Sequence, residues 1–463
     1  MPVNSFDNYP MSWKPDIKNL KPPIYKSLAE LLEDDIKKGV LKPGDKLPPQ
    51  RELADFLDLN LSTITRAFKL CEQKGLISGT IGKGTFIASD VHVSSILGCN
   101  TFPVDEYIEM GPVYPLYKQN SYVIDMTKKL FKTINMDNFL KYAEPQGLYS
   151  HRLTGQKYLK KYDVNVSPSN IVISSGSQNS LAIILMSLFN SGDKIAVAPL
   201  TYPGFKTLAK MLGIILVPIP QINNEIDFNS FISLCKNEKI KGIYLIPNLN
   251  NPTTYEMTYE EKSKVAHMAE TLDLIIIEDG LYSYLDDDNY TSIFSLAPEN
   301  CIYIGSISKS LCPGLRVSFN AACNKYINTI TNGAYNMNIM TSPLNTEIIC
   351  QLIETGLSSK IINERNKIAK ARNQIIDKIL KDKVVQANCY SPFRWLPLPS
   401  NVDSKFFENL ALKHGVQVYC AYKFAAGNSI FSPGIRLSVC APQNTAQLEK
   451  GLEILKSLIE QVN

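Results

Sequence analysis

The residues best equipped for covalent chemistry fall in one stretch, Tyr303-Ile304-Gly305-Ser306-Ile307-Ser308-Lys309-Ser310-Leu311-Cys312-Pro313-Gly314-Leu315-Arg316, where a short apolar run turns polar. Ser306 and Ser308 bring hydroxyls, Lys309 an amine and Arg316 a guanidinium. A lysine held on a turn, its pKa lowered by packing and nearby cations, condenses with a carbonyl to a Schiff base. Arg316 supplies the planar fork that suits a phosphate. An anionic aldehyde meets both needs, and the cofactor of that description is pyridoxal 5′-phosphate (PLP). Ser-x-Ser-Lys also occurs in ordinary loops, so the assignment rests on partners elsewhere in the chain.

A PLP lysine needs a carboxylate for the pyridinium nitrogen and donors for the ring oxygen. The continuous apolar run Leu274-Ile275-Ile276-Ile277 has the pattern of a buried parallel strand and leads into Glu278-Asp279-Gly280-Leu281-Tyr282. Asp279 suits the nitrogen and Tyr282 the oxygen. A second strand, Gly242 to Pro247, precedes Asn248-Leu249-Asn250-Asn251-Pro252-Thr253, where Asn251 is held before a proline and offers a second donor. A third, Ile171-Val172-Ile173, runs into Ser174-Ser175-Gly176-Ser177-Gln178 and an apolar helix, a pattern that lets backbone N–H groups approach a phosphate at the helix N-terminus. After the strand Lys194 to Ala198, Thr201-Tyr202-Pro203-Gly204 presents Tyr202 as a face for the ring. Each motif alone has a plain alternative, Asp279 as a helix cap or Asn251-Pro252 as a turn; six in one order, each at a strand exit, do not.

From about Gly111 to the C-terminus this ordered set resembles the fold type I PLP enzymes of the aspartate aminotransferase superfamily. The resemblance implies an α/β fold type I PLP-dependent transferase, with a large domain over residues 113–325 built on a mostly parallel sheet and a smaller α+β domain over 326–463. It makes Lys309, Asp279 and Tyr282 catalytic, and Gly176, Ser177, Gln178, Tyr202, Asn251, Ser306, Ser308 and Arg316 cofactor contacts. Gly111 and Arg436, the latter in Gly434-Ile435-Arg436-Leu437-Ser438, are implied to meet the substrate, Arg436 by its α-carboxylate. Tyr142, in Tyr142-Ala143-Glu144-Pro145-Gln146-Gly147, is implied to cross a homodimer interface to the partner's PLP phosphate.

At 463 residues with 44% hydrophobic content the chain supports two or three domains, and a net charge of +4 decides nothing. Ten cysteines without a Cys-x-x-Cys pair suggest neither a metal site nor a disulfide framework. No apolar run approaches a membrane span and no signal-peptide core opens the chain, so a cytoplasmic protein with reduced thiols is expected.

Residues 1–20 form a Pro- and Asn-rich arm whose Tyr9 and Trp13 are expected to dock on a neighbouring surface. Residues 21–88 predict a mostly α unit: a helix from Ile24 to Ile36 closed by Gly39, a short helix Gln50 to Leu57, and a helix from about Leu61 to Lys74. In the third helix Ile64, Ala67, Phe68 and Cys71 form the inward stripe and Thr65, Arg66 and Lys69 the outer face. Two short strands around Gly79 to Gly84 complete a winged helix-turn-helix. Such a unit places hydroxyls and cations in the DNA major groove and a wing lysine, Lys83, on a phosphate. Pro22-Pro23-Ile24-Tyr25, Pro43-Gly44, Arg51-Glu52-Leu53-Ala54, Thr63-Ile64, Arg66-Ala67 and Gly82-x-Gly84-Thr85-Phe86-Ile87 resemble the GntR family. By that resemblance Arg51, Ser62, Thr63, Thr65, Arg66 and Gly84 contact DNA, while Leu61 stands where many members have arginine. The segment holds 11 Lys and Arg against 9 Asp and Glu, so its basic footprint is local. Residues 89–112 have the composition of a linker.

A GntR reader joined to an aminotransferase-like module resembles the MocR/GabR regulators. The expected function is transcriptional regulation on a double-stranded DNA operator, switched when an amino acid, an amine or PLP itself reacts through Lys309. A true aminotransferase with an accessory DNA-binding domain is the alternative, and a PLP fold kept as a mere dimeriser the third reading.

Overall fold

The strands that position the candidate site are short, almost wholly buried and aliphatic, the composition of a sheet covered on both faces. The structure, a computed structural model, describes residues 12–16, 20–42, 44–80, 84–88, 107–133, 135–222, 225–285, 290–429 and 431–462. It divides into two units, one of residues 1–98, 190–219 and 422–431, the other of residues 99–189, 220–421 and 432–463.

In the second unit five strands lie side by side in the order Ile171–Ser174, Ser318–Ala322, Cys301–Ser306, Ile275–Asp279, Ile240–Leu245. Ile275–Asp279 is parallel to both neighbours, and Ser318–Ala322 is antiparallel to both of its own. The sheet is mixed and mostly parallel. Register brings its polar ends together: Ser174 and Ser306 both stand opposite Ser318, and Asp279 stands opposite Ile304. Ligands of such sheets bind beyond the carboxyl ends of the strands, where the loops diverge. Those ends release Gly176, Lys309, Tyr282 and, after Leu245, Asn251.

A three-stranded antiparallel sheet, ordered Phe393–Pro397, Gly434–Ser438, Tyr419–Cys420, carries Arg436 in its central strand. The helices Leu357–Leu380 and Thr445–Val462 pack together in the same unit. The first is preceded by Gly356, which takes a left-handed φ of 73° at the N-cap and starts the turn. Within the stretch read as linker, Ile108–Glu109 pairs in parallel with Val416–Gln417, and Met110 is fully buried. Two residues are too few for a period-two pattern to register in sequence.

In the first unit the helices Ile24–Lys37, Gln50–Leu57 and Leu61–Gln73 and the hairpin Ile77–Thr80 with Gly84–Ile87 form the winged helix-turn-helix. Ile64, Ala67, Phe68 and Cys71 enter its core as the spacing predicts. Trp13 belongs to that core, 3% exposed, and its indole N–H donates to Asp35 Oδ2 at 2.9 Å, so Trp13 docks on the first helix, while Tyr9 lies outside the described residues. Lys194–Val197 and Ile215–Pro218 pair in parallel around the helix Pro203–Met211. Among the described residues no helix is long and apolar enough to cross a membrane, no His, Cys, Asp and Glu group is arranged for a metal, and the nine cysteines are unpaired.

Candidate functional site

Lys309 follows the strand Cys301–Ser306, and its Nζ donates to the carbonyl of Val113. Burial first, then the charges of Arg436 and Arg316, bring its ammonium down from 10.5 to about 8. A lysine so placed is a free amine over a useful part of the mildly alkaline range.

Asp279 ends its strand 3% exposed. Oδ2 accepts from the Tyr244 hydroxyl at 3.0 Å and Oδ1 from the Leu281 N–H at 3.2 Å. Burial pushes the carboxyl up from 3.8 to about 6, with these two bonds opposing the rise. A carboxylate held in an apolar place with two donors is short of a positive partner, the condition a pyridinium N–H relieves.

Gly176 ends the approach to the helix Ser177–Leu188 with φ +84°, and a Cβ there would stand 2.4 Å from Arg316 Nη2. Only glycine leaves room for the guanidinium against the helix N-terminus. Arg316 Nη1 donates to Ser308 Oγ at 3.3 Å. The preceding turn is fixed, since Asn179 Oδ1 accepts from the Ser175 N–H and Asn338 Nδ2 donates to Ser175 Oγ, each at 2.9 Å. A helix N-terminus, a guanidinium fork and a hydroxyl converging on one cradle fit a phosphate monoester. With Lys309 and Asp279 the donor set fits PLP.

Arg436 is 5% exposed, its guanidinium carbon 5.6 Å from the ring centroid of Tyr419 and 5.9 Å from that of Phe393. Nη1 donates to Asn251 Oδ1 and Nη2 to the Gly111 carbonyl, both at 2.7 Å. A Cβ on residue 111 would meet the Tyr419 ring at 2.7 Å, which explains a glycine there. Asn251, Gly111 and Arg436, far apart in sequence, are one hydrogen-bonded set.

The other expected residues distribute as follows. Tyr282 is 1% exposed with its ring edge-on to Phe393, centroids 5.4 Å apart. Ser306 Oγ, buried, accepts from the Ser308 N–H at 3.4 Å and shapes the lysine turn. Ser177 and Gln178 open their helix half-buried. Tyr202 caps the helix Pro203–Met211 in the other unit, and its stacking role rests on the resemblance. Tyr142 is 84% exposed on the single chain.

On the winged helix, Arg51, Ser62, Thr65, Arg66 and Gly84 are exposed and Thr63 half-buried. Thr65 Oγ1 donates to Gln50 Oε1 at 2.8 Å, and Arg66 lies 5.1 Å from the Tyr25 ring centroid. Lys83 falls outside the described residues. Lys46, unremarked in the sequence, is exposed against the wing: a Cβ on Gly84 would stand 2.8 Å from its Cε. Sequence reasoning also missed Tyr244, the donor to Asp279. Its signal was a tyrosine inside an otherwise aliphatic strand, whose hydroxyl needs a partner when buried.

Residues 111–455 match the family described as aminotransferase class I and II, and residues 24–87 match bacterial regulatory proteins of the gntR family. The chain is 41% identical over 460 residues to a Bacillus subtilis (strain 168) protein named uncharacterized HTH-type transcriptional regulator YdeF, with 99% of each chain covered. It is 23% identical over 434 residues to the HTH-type transcriptional regulator NorG of Staphylococcus aureus (strain N315), covering 86% of this chain and 96% of that one. A solved Pyrococcus horikoshii kynurenine aminotransferase superposes with a TM-score of 0.71 at 22% identity, covering 78% of this chain and 92% of that one, a likeness of fold. The chain belongs to the aminotransferase class I and II family, in the group of HTH-type transcriptional regulators that join a GntR domain to that fold.

Proposed function

We propose that the protein is a DNA-binding transcriptional regulator whose aminotransferase-like unit binds PLP and senses an amino acid or amine. The observation that carries this reading is the set Lys309, Asp279 and Arg436 within one unit, an amine brought to about 8, a carboxyl brought to about 6 and a buried guanidinium. PLP, when bound, supplies an electrophilic aldehyde conjugated to an electron-withdrawing ring.

Gly176, Ser308 and Arg316 hold the phosphate, Asp279 the ring nitrogen, and Asn251 and Tyr282 donate at the ring oxygen. Lys309 would supply the amine that bonds the cofactor's aldehyde and would take or give a proton at Nζ. Arg436 orients the ligand by its carboxylate while the Phe393 and Tyr419 rings exclude water from the guanidinium. On the DNA side Ser62, Thr63 and Thr65 reach base edges, and Arg51, Arg66 and Lys46 meet phosphates. Tyr142, Leu140 and Tyr149, all more than half exposed on one chain, suit burial in a homodimer that sends Tyr142 to the partner's site.

The test selects binding duplexes from a random pool with the full-length PLP-loaded protein, then titrates amino acids against the selected DNA. A regulator changes its DNA affinity with the ligand and accumulates little 2-oxo acid. Rapid multiple turnover with no effect on DNA binding would overturn the reading in favour of an aminotransferase.

A further inference from the structure

Ile339 holds a backbone shape that its side chain opposes. It closes the helix Asn324–Asn338 with φ 61° and ψ −57°, a region that L side chains avoid. Its N–H donates to the Tyr335 carbonyl at 2.8 Å, and the next N–H, of Met340, turns back to the Asn338 carbonyl at 2.6 Å. That closure is a γ-turn of the rare, strained form. A β-branched residue suits it least, and Ile339 is 47% exposed, so packing within the chain does not account for the choice.

The turn joins two parts of the candidate site. Asn338 Nδ2 donates to Ser175 Oγ at 2.9 Å, so the residue before Ile339 grips the turn that leads into the phosphate cradle at Gly176. A serine oxygen that accepts from an amide keeps its own proton for a further acceptor. Met340 Sδ accepts from the Ala143 N–H at 3.0 Å, so the residue after Ile339 grips the loop of Tyr142. Thr341, next along, donates from Oγ1 to the Ile173 carbonyl at 3.1 Å and anchors the chain beyond the turn. A negative φ at Ile339 opens the turn and parts Asn338 from Met340, so the two grips stand or fall together. Backbone strain of this kind persists where the surroundings over-determine it, as they do in ligand clamps and switches.

We propose that Asn338, Ile339 and Met340 form a two-state link, in which an anion in the cradle favours the strained turn and the turn fixes the loop that presents Tyr142. The inference rests on the cofactor reading proposed above and adds to it how filling the cradle of one subunit prepares Tyr142 for the partner's site. An anion at the start of the helix Ser177–Leu188 draws in the neighbouring Ser175 hydroxyl and steadies the acceptor of Asn338. Anion and ordered loop then favour one another by the same amount, as linkage requires. Asn338 and Met340 act through Ser175 and Ala143, which makes them positioning residues.

The experiment follows backbone hydrogen exchange by mass spectrometry in the full-length protein, first without anion, then with inorganic phosphate or PLP. Either anion should slow exchange in residues 174–180 and, across the turn, in residues 140–144, the latter by about fivefold, the worth of one ordinary hydrogen bond. Met340→Leu removes the acceptor and keeps the volume of a half-buried side chain, so the fold is not at stake. It should keep the response of 174–180 and lose that of 140–144. Ile339→Gly, which takes the turn without strain, should show a slowed loop before any anion is added. Protection of the cradle without the loop in the wild type, or of the loop in Met340→Leu, overturns the link and leaves the cofactor reading standing. If neither anion protects 174–180, the cofactor reading fails and the anion-free proteins decide: Met340→Leu should still quicken exchange at 174–180, and exchange equal to the wild type overturns the link.

Discussion

Asp279→Asn should stabilise the cofactor-free protein at neutral pH while weakening its hold on PLP. The folded carboxyl sits near 6 instead of 3.8 because it is buried. A folded-state pKa above the unfolded one means that stability is fullest below 3.8 and is lost as pH rises towards 6, after which it stays level. The loss over that window is about 3 kcal/mol. Asparagine removes the charge but returns an amide NH₂ towards one of two donors, the Tyr244 hydroxyl or the Leu281 N–H, a mismatch of about 1 kcal/mol. The balance is a gain of about 2 kcal/mol at pH 7.5 and a loss of about 1 kcal/mol at pH 4. For a unit of this size that is roughly 4 °C up and 2 °C down in melting temperature. Scanning calorimetry of both proteins at the two pH values reads it directly. With PLP added the order at pH 7.5 should invert, because the pyridinium N–H gives the carboxylate its missing partner. A variant equally destabilised at both pH values would refute the account of Asp279 as an uncompensated buried acid.

Other expectations follow from the same geometry. Lys309→Ala should lose all borohydride fixation of PLP to the chain by mass spectrometry; fixation at another lysine would remove Lys309 from its role. The rate of PLP loading should rise with pH through about 8, since the free amine is the reactive form and burial beside Arg436 and Arg316 has brought its pKa there; a rise delayed to 10.5 would contradict the site. Arg436→Ala should raise the half-saturating concentration of a carboxylate ligand by about 30-fold or more and, by deleting a neighbouring cation, move the loading profile to higher pH. Arg66→Ala or Lys46→Ala should weaken DNA binding broadly and reduce the salt slope by about one, whereas Thr65→Ala, by releasing Gln50, should change sequence preference.

How much of this was legible follows from what each residue must do. Lys309, Asp279 and Asn251 stand at or just beyond strand exits, where an apolar run ends in a residue type that chemistry requires, and Arg316 stands just before the strand Ser318–Ala322; both halves of that signal are local. The helices Ile24–Lys37 and Leu61–Gln73 were legible because their buried stripes keep helical spacing over three turns or more. The strand Ile108–Glu109 was not, because its evidence is a partner, Val416–Gln417, about three hundred residues away. Tyr244 was hidden for a related reason: which strand residue faces Asp279 depends on a register that only the folded sheet sets.

Arg365 is the instructive miss. Ile361 to Leu380 looks like a solvated helix rich in Lys, Arg and Asn, yet its buried residues are Ile361, Arg365, Ala369, Arg372, Asn373, Ile376 and Leu380. Two arginines therefore occupy the apolar stripe at a spacing of seven, a pattern the sequence does contain and composition conceals. The fold answers one of them: Arg372 Nη1 donates to the carbonyls of Val439 and Pro442, each at 3.0 Å, where it ties the helix to the strand that carries Arg436. Arg365 ties its helix to the lysine turn by Nη1 alone and keeps two nitrogens over.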